Sequence, residues 1–260
     1  MRKFAGLKGR TLLAALVISS AAIVGCFYPH FISRFLPKGP QAGLYVAHEG
    51  APCKKGIDAE KSGGNAYVVG PNLVMTVAHL VWEQGKSMTA VELVKKNLTL
   101  RRGGLCVNAA IIAVDRPRDI MFLAAFVEDD PIQISDETPL PGQIVTSRGF
   151  EYIEPGIVNW RFLVHSGVVK NVTAKLCKDG RTLTNFEIHE RKPSEGIFRG
   201  GTSGSAFFDS EGRIVGMLTR SNRVTFAVAV GGRSLKEVLN ASFDCLTIPC
   251  IIANPCTGGD

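Results

Sequence analysis

Arg199-Gly-Gly-Thr-Ser-Gly-Ser-Ala-Phe-Phe208 is the stretch on which the reading of this 260-residue chain turns. Gly and Ser crowd its centre, and two bulky aromatics follow almost at once. Glycines let the backbone take positive φ and let successive amide N–H groups converge on one point. A hydroxyl held in such a turn lies beside converging donors, which is the setting a serine nucleophile needs. Taken alone, the run also fits a loop that feeds a strand, so its meaning depends on what stands elsewhere.

Two distant segments supply that context. In Val74-Met-Thr-Val-Ala-His-Leu-Val81 an apolar, β-branched run ends in Thr76-Val77-Ala78-His79, with the histidine where a strand should run out. In Arg116-Pro-Arg-Asp-Ile-Met-Phe-Leu-Ala-Ala125 an aspartate, Asp119, immediately precedes an apolar strand. The three segments resemble the TAAHC-type, DIALL-type and GDSGG-type motifs of trypsin-like (chymotrypsin-fold) serine peptidases. They stand in that family's order, His, Asp, Ser, with His79, Asp119 and Ser203 at 40-residue and 84-residue separations. The resemblance covers roughly Ala42 to Asn240, and GTSGS is similar to bacterial and viral members of the superfamily.

The resemblance implies a fold and a set of roles. The fold is all-β, with two six-stranded β-barrels of the chymotrypsin type and a short C-terminal helix. Ser203 is implied as nucleophile, His79 as general base, and Asp119 as the acid that orients the imidazole. The backbone N–H groups of Gly201 and Ser203 are implied as the oxyanion hole. Walls of a specificity pocket are implied at Ile197, Thr219 and Thr225. No acidic residue stands at Ile197, so a preference for Lys or Arg side chains is not expected. Thr202 replaces the family's zymogen aspartate, which argues against an activation switch of that type. Arg220 replaces the aromatic or Asn that relatives often carry, which unsettles the usual extended substrate contact.

Rivals exist for each role. Ser205 competes with Ser203 but falls where the family has Gly or Ser. His48, in Val46-Ala47-His48, repeats the Val-Ala-His ending without the preceding threonine and comes too early. His30, His165 and His189 have no such context and are expected to be structural or surface residues. Asp115 lies four residues before Asp119 and does not directly precede the apolar strand. At the level of function, a catalytically inactive protein of the same fold, binding or structural, is the alternative to an enzyme, because a fold does not dictate an activity. An α/β-hydrolase esterase is excluded: Ser205 replaces the last glycine of GxSxG, and the chain order of the three residues is wrong.

The opening of the chain has its own chemistry. Basic Met1–Arg10 precedes the uncharged, apolar Thr11–Phe27, the layout of a secretory signal. Ile23-Val-Gly-Cys26 resembles the bacterial lipobox, whose cysteine is lipidated. Three readings fit: a lipoprotein signal modified at Cys26, an uncleaved signal anchor, and simple cleavage. At 17 residues the apolar run sits at the short edge of the roughly 17–25 that span a bilayer. Each reading exports the remainder to the cell envelope, on the periplasmic or extracellular face. The division of the chain is then 1–26 signal or anchor, 27–41 linker, 42–240 peptidase domain and 241–260 Cys-rich tail. The barrels are expected at about 42–134 and 135–232.

Cysteines and charge agree with export. Of seven cysteines, six remain once Cys26 is set aside, an even set that permits up to three disulfides in an oxidising compartment. Their pairing is left open, with Cys245, Cys250 and Cys256 expected to tie down the tail. Zinc is disfavoured, because neither a CxxC pair nor HExxH is present. The formal charge is +7, yet Arg2, Lys3, Lys8 and Arg10 contribute four of those charges, and no basic run with interleaved aromatics remains. Nucleic acid is therefore not an expected partner. A protein or peptide substrate and the membrane are, and no metal or organic cofactor is implied.

Local patterning supplies the elements. Short β-rich runs separated by turn residues are read at 43–48, 66–69, 73–78, 89–94, 109–114 and 120–127. A second set is read at 144–147, 160–169, 185–189, 205–208, 214–220 and 224–230. Asp209-Ser-Glu-Gly212 predicts a hairpin turn. A helix is predicted near the end, with Ser234 as its cap and Glu237 completing a capping box.

Overall fold

Alternation of apolar and turn-forming residues yields, among the described residues, twelve antiparallel strands in two sheets, with a short thirteenth strand lying parallel on the first. The computed structural model describes residues 41–50, 53, 63–82, 89–154, 157–176, 182–190, 202–221, 226–243 and 250–251. The opening segment with Cys26 lies outside the described residues, as do Ile197, Gly201, Thr225, Cys177, Cys245 and Cys256. Among the described residues no helix is long and apolar enough to cross a membrane.

The first sheet contains β1 (Leu44–Glu49), β2 (Gly63–Gly70), β3 (Leu73–Val77), β4 (Leu98–Arg102), β5 (Leu105–Asp115) and β6 (Ile120–Ala125). Their order is β5-β4-β1-β2-β3-β6, and β5 also pairs with β6, which joins the two ends. The second sheet contains β7 (Ile144–Glu154), β8 (Ile157–Leu176), β9 (Thr182–Glu190), β10 (Ala206–Phe208), β11 (Ile214–Ser221) and β12 (Phe226–Gly231). It closes as a barrel in the order β10-β11-β12-β9-β8-β7. Closure removes free strand edges, which otherwise invite pairing with other chains. The expected all-β fold with two six-stranded sheets and a short late helix is what the structure contains.

Several local readings differ from the pattern. The run read as a strand at 89–94 is instead a short helix, α1 (Ala90–Val94). Thr89 accepts from the Glu92 N–H, and the Glu92 carboxylate accepts from the Thr89 N–H at 2.6 Å. This reciprocal capping box settles a run whose β-branched residues alone favoured a strand. β4 had no counterpart in the sequence reading, and β7 and β8 run well past the predicted segments.

The late helix, α2, spans Gly232–Phe243, so Ser234 lies inside it instead of capping it. Its buried hydroxyl accepts from the Thr184 N–H at 2.8 Å and donates to the Thr182 carbonyl at 2.9 Å, fastening α2 to β9. The predicted turn after β10 forms: the Asp209 N–H donates to the Arg213 carbonyl at 3.0 Å, and Gly212 takes φ +78°. One disulfide joins Cys53 to Cys106. Near the C-terminus β13 (Cys250–Ile251) lies parallel to β5 at Ala113 and Val114.

The core explains the two aromatics of the opening stretch. Side chains alternate along a strand, so Phe207 and Phe208 point to opposite faces. Phe208 joins the first hydrophobic cluster and stands edge-on to Tyr67, 6.0 Å between ring centroids. Phe207 joins the second, edge-on to Phe186 at 6.1 Å. Each is fully buried, worth ~1.5–3 kcal/mol of apolar transfer. The strand that follows Ser203 is thereby wedged between the two cores.

Candidate active site

β3 is buried along its whole length and ends in a short 3-10 turn, Ala78–Leu80. Ala78 and Leu80 point into the core, which leaves His79 exposed at the strand end. Asp119 reaches the same place from the turn between β5 and β6. It adopts φ +58°, a left-handed conformation that Asp tolerates better than most residues. In that conformation its Oδ2 meets His79 Nδ1 at 2.6 Å, and its Oδ1 accepts from the His79 N–H at 2.8 Å. The Ala78 N–H closes the contact by donating to the Asp119 carbonyl at 3.1 Å. With the ring proton on Nδ1, where a carboxylate oxygen can accept it, Nε2 presents a lone pair. The imidazole is 40% exposed against 19% for the Asp119 side chain, so the ring reaches solvent more than its partner does.

The turn that presents Asp119 is held by charges that sequence reasoning did not find. Asp115 and Arg118 are both fully buried, and their side chains meet at 2.6 Å. Asp115 also accepts from the Arg118 N–H at 3.0 Å. Glu237 of α2 lies 3.7 Å from the same guanidinium, and Arg116 stacks over the Trp82 ring at 4.9 Å. Of the two aspartates weighed, Asp119 therefore meets the histidine and Asp115 braces the loop beneath it. A spacing of three residues between opposite charges beside a proline turn was the available signal.

Ser203 sits at the start of the turn ahead of β10, half-buried. Gly204, with φ +78°, donates to the Leu218 carbonyl at 2.9 Å, and Ser205 donates to the Thr202 carbonyl at 3.0 Å. On the other side the Asn65 N–H, from β2, donates to the Ser203 carbonyl at 2.7 Å. A Cβ on Gly64 would lie 3.1 Å from that carbonyl and 3.2 Å from Leu80 Cδ2, so the Ser203 backbone and the residue after His79 share one small space. Among the described residues, hydrogen bonds join His79 to Asp119 and Ser203 to β2. None joins the Ser203 hydroxyl to the imidazole.

The rival residues have other occupations. Ser205 is buried, and its Oγ accepts from Asn65 Nδ2 at 3.1 Å. His48 is buried edge-on to Trp160, with ring centroids 5.5 Å apart. His189 pairs with Glu187, and His165 lines a small cavity in the second barrel beside Glu151, Thr202 and Ser205. Of the expected pocket residues only Thr219 is described. Its hydroxyl donates to the Val228 carbonyl at 3.4 Å. Among the described residues no group of three or more His, Cys, Asp or Glu side chains could hold a metal ion.

Comparison with known proteins points one way. The trypsin-like peptidase domain family matches residues 64–217. Among solved structures, the Rv3671c protease of M. tuberculosis in its inactive form superposes with a TM-score of 0.56 and 16% identity, over 77% of this chain and 89% of that one. Its active form gives 0.55 and 16%, over 84% and 87%. The serine endoprotease of Yersinia pestis gives 0.55 and 13%, over 78% of this chain and 63% of that one. At such identities the likeness is one of fold. No curated protein sequence matches the chain.

Proposed function

The chain belongs to the trypsin-like peptidase domain family, and from that premise we propose that it is an exported serine endopeptidase acting through His79, Asp119 and Ser203. The observation that carries the reading is the two-pronged contact of Asp119 with His79, 2.6 Å at Nδ1 and 2.8 Å at the backbone N–H. A surface ion pair has no need of a left-handed backbone to aim both oxygens at one residue. A base whose tautomer must be held has that need.

In this reading Nε2 of His79 takes the proton of the Ser203 hydroxyl as Oγ attacks the substrate carbonyl. The C=O electron pair moves to oxygen, and the N–H groups of Gly201 and Ser203 receive the oxyanion. The pair returns, the C–N bond breaks, and imidazolium delivers its proton to the departing amine. Water then attacks the acyl-enzyme, His79 takes its proton, and the carboxylic acid leaves as Ser203 recovers its hydrogen. Asp119 keeps the imidazole oriented and stabilises the imidazolium throughout. The substrate is a peptide or protein. Ile197, a pocket wall by the family resemblance, is not acidic, so uncharged side chains are the expected ones at the cleaved position.

Export rests on Met1–Arg10 followed by Thr11–Phe27, and on the Cys53–Cys106 disulfide, which suits an oxidising compartment. Modification at Cys26 would hold the enzyme on the membrane face. The decisive experiment treats the full chain, in detergent, with a fluorophosphonate probe and a peptide library, beside Ser203→Ala and His79→Ala. Both variants should lose labelling, and Ser203→Ala should lose hydrolysis. Full activity in Ser203→Ala would sink the assignment. A folded wild type that never labels would favour an inactive binding protein on this fold.

A further inference from the structure

We propose that Asn65, through its side-chain carboxamide, is a positioning residue that sets the register of the Ser203 turn against His79; this rests on the peptidase reading above. The two proposed reacting groups lie on different sheets. His79 is delivered by β3 of the first and Ser203 by the turn before β10 of the second. Their alignment therefore depends on what crosses between the sheets, and the Asn65 carboxamide crosses at four points.

Asn65 is fully buried in β2, in an otherwise small and apolar run, Gly63-Gly-Asn-Ala66. A carboxamide has the donor and acceptor of a peptide group, and here it is used as one. Its Oδ1 accepts from the Phe150 N–H at 2.5 Å, and its Nδ2 donates to the Phe150 carbonyl at 3.0 Å. This adds a rung between β2 and β7 that no backbone pairing supplies. Nδ2 also donates to Ser205 Oγ at 3.1 Å, with the Ser203 carbonyl at 3.5 Å. The Phe150 contacts fix which end of the carboxamide is nitrogen.

The link continues to the base. Thr76, three residues before His79, donates its hydroxyl to the Asn65 carbonyl at 2.8 Å. Hydrogen bonds thus run from the strand carrying His79, through Asn65, to both sides of Gly204. Shape agrees with this. A Cβ on Gly204 would lie 2.3 Å from the Asn65 carbonyl oxygen, and one on Gly149 would lie 2.4 Å from Ser205 Oγ and 3.2 Å from Asn65 Cγ. Two glycines leave the space that the carboxamide and the turn occupy. A displacement of the order of 1 Å between nucleophile and base is enough to cost about a hundredfold in rate.

The test measures fluorophosphonate inactivation of the full chain over a range of probe concentrations, which separates the maximal rate, kinact, from the half-saturating concentration, KI. Asn65→Ala should lower kinact per folded molecule by about tenfold to a hundredfold, with KI little changed. Ser205→Ala removes one of the four contacts and should lower it by less. Val215→Ala, in the second hydrophobic cluster and in none of these hydrogen bonds, is the control: it should lower the melting temperature and leave kinact unchanged. A kinact for Asn65→Ala equal to wild type, or an equal fall in Val215→Ala, would overturn the inference. If Asn65→Ala does not fold, an unchanged kinact in Ser205→Ala overturns it instead. A folded wild type that does not react removes the peptidase reading and this inference together, whereas a reactive wild type beside an equally reactive Asn65→Ala removes this inference alone.

Discussion

The two sides of the candidate site are built from different interactions. The Asp119 turn is braced by formal charge within one region: Asp115 and Arg118, both fully buried, meet at 2.6 Å with Glu237 nearby. The Ser203 turn is braced by neutral hydrogen bonds and by missing Cβ atoms, through Asn65, Gly204 and Gly149. The closest contact of the charged support joins residues three apart in sequence, with Glu237 of α2 farther off, and the neutral support joins residues up to 140 apart. A left-handed aspartate has to be forced locally, while a nucleophile has to be aligned across two sheets. The difference suggests that charge serves strain here and that neutral contacts serve register.

The largest expected effect comes from breaking the charged side. Arg118→Met would leave the Asp115 carboxylate buried without its counter-ion, and should cost about 3–5 kcal/mol of stability in urea unfolding. Adding Asp115→Leu removes the stranded charge and should restore most of that loss. A single variant as stable as wild type would show that the pair braces nothing.

On the neutral side, Gly204→Ala should cost ~1–3 kcal/mol, because φ +78° strains any side chain. The added Cβ also meets the Asn65 carbonyl, so fluorophosphonate labelling should fall further than stability does. Labelling that merely tracks the folded fraction would dissolve the distinction between the two sides.

Acid sharpens the contrast with the smallest effect. In the segment after β6, burial pushes the Asp129 carboxyl up, but hydrogen bonds from Arg102 at 2.8 Å and Tyr45 at 2.5 Å outweigh it and hold it below the usual value. Burial and that same contact push the Tyr45 phenol above its usual range, so it remains a neutral donor. A depressed carboxyl adds stability that is fully present above its unfolded value of about 3.9 and is lost as pH falls through the folded value. Urea midpoints of wild type and Asp129→Asn should therefore differ at pH 7 and converge in strong acid. The Asn65 contacts carry no titrating group and should show no such convergence. Midpoints that stay parallel at every pH would contradict the assignment for Asp129.

Much of this was legible in the chain. The strand-ending His79, the strand-leading Asp119 and the Gly-rich turn at Ser203 are local patterns, and period-two alternation explains why Phe207 and Phe208 enter opposite cores. Illegible parts were those in which a local signal met a competitor. Thr89–Val94 carries β-branched residues, yet the Thr89–Glu92 box is a shorter-range contact and made a helix. Ser234 has the spacing of a cap, but the end of β9 beyond its pairing with β12 offered its hydroxyl two backbone partners.

By itself, the sequence determined the strand-rich architecture, the order and spacing of the three proposed catalytic residues, and the glycines on which the Ser203 turn depends. These follow from side-chain periodicity and backbone sterics, which act over a few residues. Tertiary structure alone decided that Asp115 pairs with a buried Arg118 beneath the Asp119 turn, and that Asn65 joins β2 to Phe150 and Ser205. Burial and hydrogen-bond pairing between distant residues depend on how two sheets close and pack, and no window of the chain contains that information.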